Sequence, residues 1–501
     1  MSKLIFTLIC LSAFGGAIPC YAKIIYVDDD DNGLNDGSSW ANAYKYLQDA
    51  LMMASEGDEI HVAQGIYKPD QGSEKIPGDR EATFQLINGV TLKGGYAGSG
   101  QPDPNTRNID LYKTILSGDL QGNDVKLTKP ADMRLETSRL DNSYHVITGS
   151  RTDETAIIDG FTITAGRNSG LGAGIYNKDG NPRLINCTFN WNYAEFGGGM
   201  GNWNSSPTVI NCKFYMNAAE GGGGIDNVEN STSILINCTV SSNSGFWRGG
   251  GILNGYAGVG GSSNPILINC ILSGNSTDGY GGGMYNEYSS PTIVNCTFND
   301  NSAERGGATY SYRDSSPVLT NCILYGDRAK SGNEIYLGFY STSQSSSINV
   351  SYSNVQGGQA GVYLEAGSTL NWEDGNIDAA PCFADADNAD YHLKSQAGRW
   401  DPCENSKFEI RNPKLRSGNW VKDEVTSRCI DAGDPKSPIG LEPFPNGGRI
   451  NMGAYGGTAE ASKSYFGEPV CETIVAGDIN GDCVVNFKDF ALMAFHWLEE
   501  H

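Results

Sequence analysis

The 501-residue chain carries 35 Lys and Arg against 58 Asp and Glu, a formal charge of −23. That excess excludes a nucleic-acid partner, because phosphate binding needs concentrated positive charge. With 65 Gly and 10 % aromatic residues, the composition excludes a disordered chain and suits a packed, largely β protein.

Residues 1–22 read as a secretory signal. Lys3 supplies the positive start, Leu4 to Ala17 is an apolar run too short to span a bilayer, and Cys20 and Ala22 are the small residues before cleavage. Pro19 directly before Cys20 fits a lipoprotein site poorly. A secreted or cell-surface protein is expected, with no transmembrane segment after signal removal. The acidic run Asp28-Asp29-Asp30-Asp31-Asn32-Gly33 reads as a solvated turn into the first repeat, with Ca2+ binding as the alternative. Tyr44 to Ala54 has helical periodicity, with Leu47, Ala50, Leu51 and Ala54 on one side, and is expected to cap the first repeat.

The middle of the chain repeats itself. Cys187, Cys212, Cys238, Cys270, Cys296 and Cys322 stand 25, 26, 32, 26 and 26 residues apart, each directly after an Asn. Two residues later comes Phe189, Phe214, Val240, Leu272, Phe298 or Leu324, and five later Asn192, Asn217, Asn243, Asn275, Asn301 or Asp327. A glycine strip recurs in register, including Gly197-Gly-Gly-Met200, Gly222-Gly-Gly-Ile225 and Gly249-Gly-Gly-Ile252. Gly triplets and Asn oppose helix. Three short strands with corners, stacked about 4.8 Å from the next unit, account for the pattern. The expected inward columns are Ile185, Ile210, Ile236, Ile268 and Val294, the cysteines, and the Phe/Leu set. The Asn192 column is expected at a left-handed corner, bonded along the axis as a ladder. Parallel Cβ vectors keep adjacent column cysteines too far apart to bridge, so they are expected as buried thiols.

These strips resemble the repeats of polymorphic outer-membrane proteins and related secreted β-helix proteins, within the pectate-lyase-like superfamily. The resemblance implies an all-β, right-handed parallel β-helix over residues 23–374, clearest at about 145–355. Thr155 to Ala165 reads as an earlier turn, with Gly160 in the cysteine's place, and Ser351 to Val355 as a later one. Residues 375–468 lack the strips and are expected as the C-terminal flank of the solenoid, where Cys403 and Cys429 are a candidate disulfide.

The last segment, 469–501, holds Asp478, Asn480, Asp482, Asn486 and Asp489 at loop positions 1, 3, 5, 9 and 12, with the Val484 carbonyl at position 7. That is how one loop wraps Ca2+. Residues 487–498 follow as an apolar helix. The segment resembles half of a type I dockerin, which implies a calcium ion and a cohesin-like or sorting partner. Cys483 stands where that family has Gly, and one loop is present where dockerins carry two.

Chemistry on the solenoid rests on carboxylates, because all five His lie outside the cysteine-bearing repeats. Aligned repeats put Glu195, Glu220, Trp247, Gly279 and Glu304 at one position, and Phe196, Gly221, Arg248, Tyr280 and Arg305 at the next. Glu195 and Glu220, one turn apart, suit proton sharing, cation binding, or acid and nucleophile roles on a sugar. Asp226 and Arg248 complete the candidate catalytic set. Trp191, Trp203, Trp247 and Tyr280 are the candidate stacking platforms for a saccharide. The bland alternative is a solvated turn edge. The leading expectation is a binding or scaffold protein that engages polysaccharide or a surface glycan. The rival is an extracellular polysaccharide lyase or glycoside hydrolase on the same fold.

Overall fold

The computed structural model describes residues 22–255, 261–341, 344–402 and 419–464. The leader up to residue 21 and the 469–501 segment, with Asp478, Asn480, Asp482, Val484, Asn486 and Asp489, lie outside the described residues.

Each repeat makes one turn of a parallel solenoid. Ile175–Lys178, Arg183–Ile185, Thr188–Asn190 and Tyr193–Phe196 follow one another around the axis, and Met200–Trp203 then pairs in register with Ile175–Lys178. Among the described residues this builds a first sheet of twelve strands, second and third sheets of ten, and a fourth of four. The first runs from Ile24–Val27 to Thr369–Trp372, the second from Gly65–Tyr67 to Asn354–Val355, and the third from Phe84–Gln85 to Val362–Leu364. Pairing within all four is parallel, as expected of right-handed crossovers in one coil.

The core is dry and layered. Leu184, Val209, Leu235, Leu267, Ile293 and Leu319 are fully buried, as are the Cys column and the Phe/Leu column. Each such side chain contributes roughly 1.5–3 kcal/mol. The expected inward set Ile185, Ile210, Ile236, Ile268 and Val294 instead points outward and is half-buried. Side chains alternate along a strand, and it is the preceding residue that meets the core. The left-handed corner also differs. It falls on the Asn before each Cys, such as Asn186 (φ 52°) and Asn211 (φ 54°), and on the residue before the Asn192 column, such as Trp191 (φ 53°). In the earlier turn, Gly160 (φ 86°) holds this corner and Phe161 takes the cysteine's place, because Asp159 pairs with Ile185 and Thr162 with Thr188.

The Asn192 column faces inward and forms the expected ladder. Asn192 Nδ2 donates to Asn217 Oδ1 (3.0 Å), Asn217 to Asn243 (3.1 Å), Asn243 to Asn275 (3.0 Å), Asn275 to Asn301 (2.9 Å) and Asn301 to Asp327 (2.7 Å). A second ladder, Asn177–Asn202–Asn227–Asn254–Asn286, runs inside the third sheet at 2.8–2.9 Å.

All six column cysteines are buried free thiols, and burial pushes those of Cys212, Cys238 and Cys296 up. Native protein is therefore expected to leave all six unmodified by iodoacetamide, whereas denatured protein is fully alkylated. Mass spectrometry of tryptic peptides reads the result, and a native Cys212–Cys238 crosslink would contradict it. Cys429 is likewise a buried free thiol accepting from Asn354 Nδ2 (3.2 Å), while Cys403 lies outside the described residues.

The 44–54 segment forms a helix, Leu47–Met53, whose Leu47, Ala50 and Leu51 join the main core beside Ile25, Ile60 and Phe84. At the other end the flank packs along the Asn corner of three turns. Asn269 Nδ2 donates to the Ala454 and Gly456 carbonyls, Asn295 Nδ2 to the Asn451 carbonyl, and Asp434 N to Asn321 Oδ1.

Candidate functional site: a cleft over the fourth sheet

The fourth sheet consists of Tyr193–Phe196, Ala218–Gly221, Ser244–Arg248 and Ser276–Thr277. It meets the third sheet at the glycine strip. Gly222 has φ +63°, and a Cβ on Gly223 would sit 2.5 Å from the Gly250 carbonyl oxygen. Only glycine lets the chain turn this tightly there. A cleft of about 690 Å3 opens above this sheet.

Four of the candidate catalytic and stacking residues line it, Glu195, Glu220, Trp247 and Arg248. Ala194 pairs with Ala219 and Phe196 with Gly221, so Glu195 and Glu220 stand side by side on adjacent strands. The next strand does not continue that register. Ala219 pairs with Gly245 but Gly221 with Arg248, so Phe246 and Trp247 together oppose Glu220. This bulge turns Trp247 outward, leaving it 61 % exposed. The row Phe196, Gly221, Arg248, Tyr280, Arg305 pairs as the alignment predicts.

Glu220 is held from two sides. Arg134 Nε approaches its Oε1 at 2.9 Å and the Tyr193 hydroxyl donates to the same oxygen at 3.2 Å. Burial, reinforced by the Glu220 charge, raises the Tyr193 hydroxyl above its ordinary value, so it stays a donor. Arg134 also lies 4.4 Å over the Phe246 ring.

Sequence reasoning missed the opposite wall: Arg80, Leu140, Tyr144 and Arg167. Arg80 lies 4.2 Å over the Tyr144 ring, and its Nε donates to the Asn142 carbonyl at 2.7 Å. Arg167 lies 5.2 Å from the Tyr193 ring, and its Nη2 donates to the Arg134 carbonyl at 3.0 Å. Neither arginine forms an ion pair among the described residues. Arg248 differs, with Nη1 3.0 Å from the Glu287 carboxylate. Apart from Arg167, which follows the Thr162–Thr164 strand, this wall comes from segments outside the repeat, Leu140 from the short 3-10 helix Thr137–Asp141, so no column of the alignment pointed to it.

The other candidates sit elsewhere. Asp226 is 1 % exposed on the third sheet, paired with Gly201 and Leu253, and its Oδ1 has no partner. Burial pushes its carboxyl well above the usual range, and the residue does not line the cleft. Trp191 occupies the corner between the second and fourth sheets, where its carbonyl accepts from Arg139 (3.0 Å). Trp203 ends a third-sheet strand beside Lys178 and Val228. Tyr280 stacks on Tyr310 at 5.0 Å, in an aromatic layer beyond the cleft. Oxygens of Asp28, Asp29 and Asp30 lie within 4.8 Å of one another. Asp28, buried rather than solvated, accepts from the Ser99 (2.6 Å) and Asp30 (3.2 Å) amides, and Asp29 Oδ2 from Ile66 (3.4 Å), so these oxygens tie the segment to two later ones, while Asp29 Oδ1 has no partner.

The coil is that of a right-handed parallel β-helix. The right-handed β-helix region family matches residues 249–377. Among solved structures the chain is similar to pectate lyase Pel9A, with 15 % identity over 86 % of this chain and 96 % of that one and a TM-score of 0.43. It is also similar to a rhamnogalacturonan lyase, with 13 % identity over 72 % and 91 % and a TM-score of 0.43. A family 28 exopolygalacturonase of Yersinia enterocolitica shares 12 % identity over 71 % and 77 %, with a TM-score of 0.28. No curated protein matches the sequence. No helix among the described residues is long and apolar enough to cross a membrane.

Proposed function

We propose that the chain is a secreted or cell-surface protein that binds an anionic polysaccharide in the cleft over the fourth sheet. The carrying observation is the pairing of a projecting Trp247 with Arg80 and Arg167, two cleft-lining arginines that form no ion pair among the described residues. A sugar offers an apolar C–H face to an indole, and planar guanidinium groups match carboxylate or sulfate substituents. In a chain of charge −23, two such arginines in one cleft give local attraction against the overall field.

Titration calorimetry against a panel of uronate-containing, sulfated and neutral polysaccharides tests this. An anionic member is expected to bind, more weakly as salt rises. Trp247→Ala is expected to weaken binding by about tenfold or more, a change of about 1.4 kcal/mol, with an unchanged unfolding midpoint. Binding that Trp247→Ala leaves intact would remove the reading.

A second reading, cleavage of the bound chain by hydrolysis or elimination, is favoured by one observation. Glu195 and Glu220 stand side by side on neighbouring strands and both line the cleft, supplying the pair of carboxyls that glycoside cleavage uses. Product release that disappears in Glu220→Gln would replace binding with catalysis.

For the 469–501 segment we propose a calcium loop, through Asp478, Asn480, Asp482, Val484, Asn486 and Asp489, serving as a docking or sorting tag. Calorimetry is expected to register Ca2+ binding that Asp478→Ala abolishes. An absence of binding in the parent would remove the metal.

A further inference from the structure

We infer that a second trench, between the outer face of the second sheet and the C-terminal flank, binds a neutral oligosaccharide. It uses none of the residues of the first cleft. Its volume is about 590 Å3, within the usual range for ligand sites.

One wall is part of the solenoid. Ser241, Ser273 and Asn299 lie on strands Thr239–Ser241, Ile271–Ser273 and Thr297–Asn299, paired in register, each pointing away from the core. One hydroxyl or amide therefore appears every turn, about 4.8 Å apart along the axis. The opposite wall is the flank at 380–391, where Phe383 meets Tyr391 edge to face at 5.2 Å. Tyr391 and Ser273 both lie at the trench floor, each 4 % exposed.

The lining chemistry selects the ligand. Ser241 and Ser242 hydroxyls make no hydrogen bond among the described residues and remain free to donate and accept. Asn299 Nδ2 donates to the Tyr325 carbonyl, leaving its Oδ1 as an acceptor. Aromatic surface suits the apolar C–H face of a pyranose, and hydroxyl and amide groups suit the hydroxyls at its edge. The rim carries Asp300, which is paired with Arg328, and Asp387, so its net charge is negative. That rim repels a uronate or sulfated chain. A linear neutral sugar laid along the axis meets the half-buried Ser241 and Ser242 hydroxyls, above a floor formed by Ser273 and Asn299.

The test uses the full chain and three probes, cellohexaose, xylohexaose and mannohexaose, in titration calorimetry. At least one is expected to bind. Ser241→Tyr is expected to weaken that binding by about tenfold or more by filling the trench. The fold accommodates this change, because Tyr215 already stands in register one turn back. An unchanged unfolding midpoint verifies that. No heat with any of the three probes overturns the inference. So does equal affinity in Ser241→Tyr. Heat kept in Ser241→Tyr but lost in Trp247→Ala would place the neutral chain in the first cleft, and also overturns it.

Discussion

Asn243→Leu is expected to destabilise the solenoid by roughly 3–6 kcal/mol, a large share of the stability of any domain. Asn243 is fully buried. Its Nδ2 donates to the Phe214 carbonyl (2.8 Å) and to Asn275 Oδ1 (3.0 Å), and its Oδ1 accepts from Asn217 N (3.0 Å) and Asn217 Nδ2 (3.1 Å). Leucine is close in size, so packing alone loses little. The loss lies in the stranded groups: the Asn217 amide, one Asn217 side-chain hydrogen and the Phe214 carbonyl, all without water. Each costs about 1–3 kcal/mol. Urea unfolding followed by circular dichroism reads the effect, with Val240→Ala as comparison because it removes two methyl groups from the same turn. A ladder variant that costs less than the Val240 variant would show that apolar stacking alone sustains the coil.

The C-terminal flank is expected to loosen as pH rises through about 7. Glu442 is 7 % exposed, and burial pushes its carboxyl up to about 7, although its Oε1 accepts from Asn451 N and Gly457 N at 2.8 Å each. Its Oε2 has no partner. A carboxyl with a raised folded value stabilises below its unfolded value of about 4.3 and loses that contribution as pH climbs through the folded one. The span corresponds to on the order of 3 kcal/mol. His392 acts in the same direction. Burial pulls its imidazolium down, but Asp390 (2.6 Å) and Glu460 (3.5 Å) outweigh it and hold the group above its ordinary value. Its contribution is complete below about pH 6.5 and lost as pH rises through the folded value. Thermal unfolding midpoints from about pH 5.5 to about pH 8.5 are expected to fall in the parent and to fall much less in Glu442→Gln. Parallel profiles for the two proteins would exclude Glu442 as the cause.

How much of this was legible in the chain differs from element to element. The cysteine, Phe/Leu and Asn columns recur every 25 to 32 residues, and a parallel coil is the arrangement that stacks them all. The Asn ladder, the buried thiols and the neighbouring places of Glu195 and Glu220 follow from register alone. The inward face was misread by one residue. Ile185 and Leu184 are equally apolar, and only the left-handed turn at Asn186 decides which of them meets the core. The bulge in Ser244–Arg248 was hidden as well, since an alignment by column assumes one residue opposite one, and there Phe246 and Trp247 share the place facing Glu220.

Periodicity by itself determined the architecture, because in a coil every turn sees the same environment as the turn before, and the sequence must repeat to fill it. What only the tertiary structure decided is where that regularity is broken to make a surface. Arg80 reaches the cleft across more than a hundred residues from Trp247, and the flank closes a trench over Ser273 from beyond the last turn. Such meetings depend on where irregular segments fold back, and that depends on contacts distant in sequence, which leave no period to read.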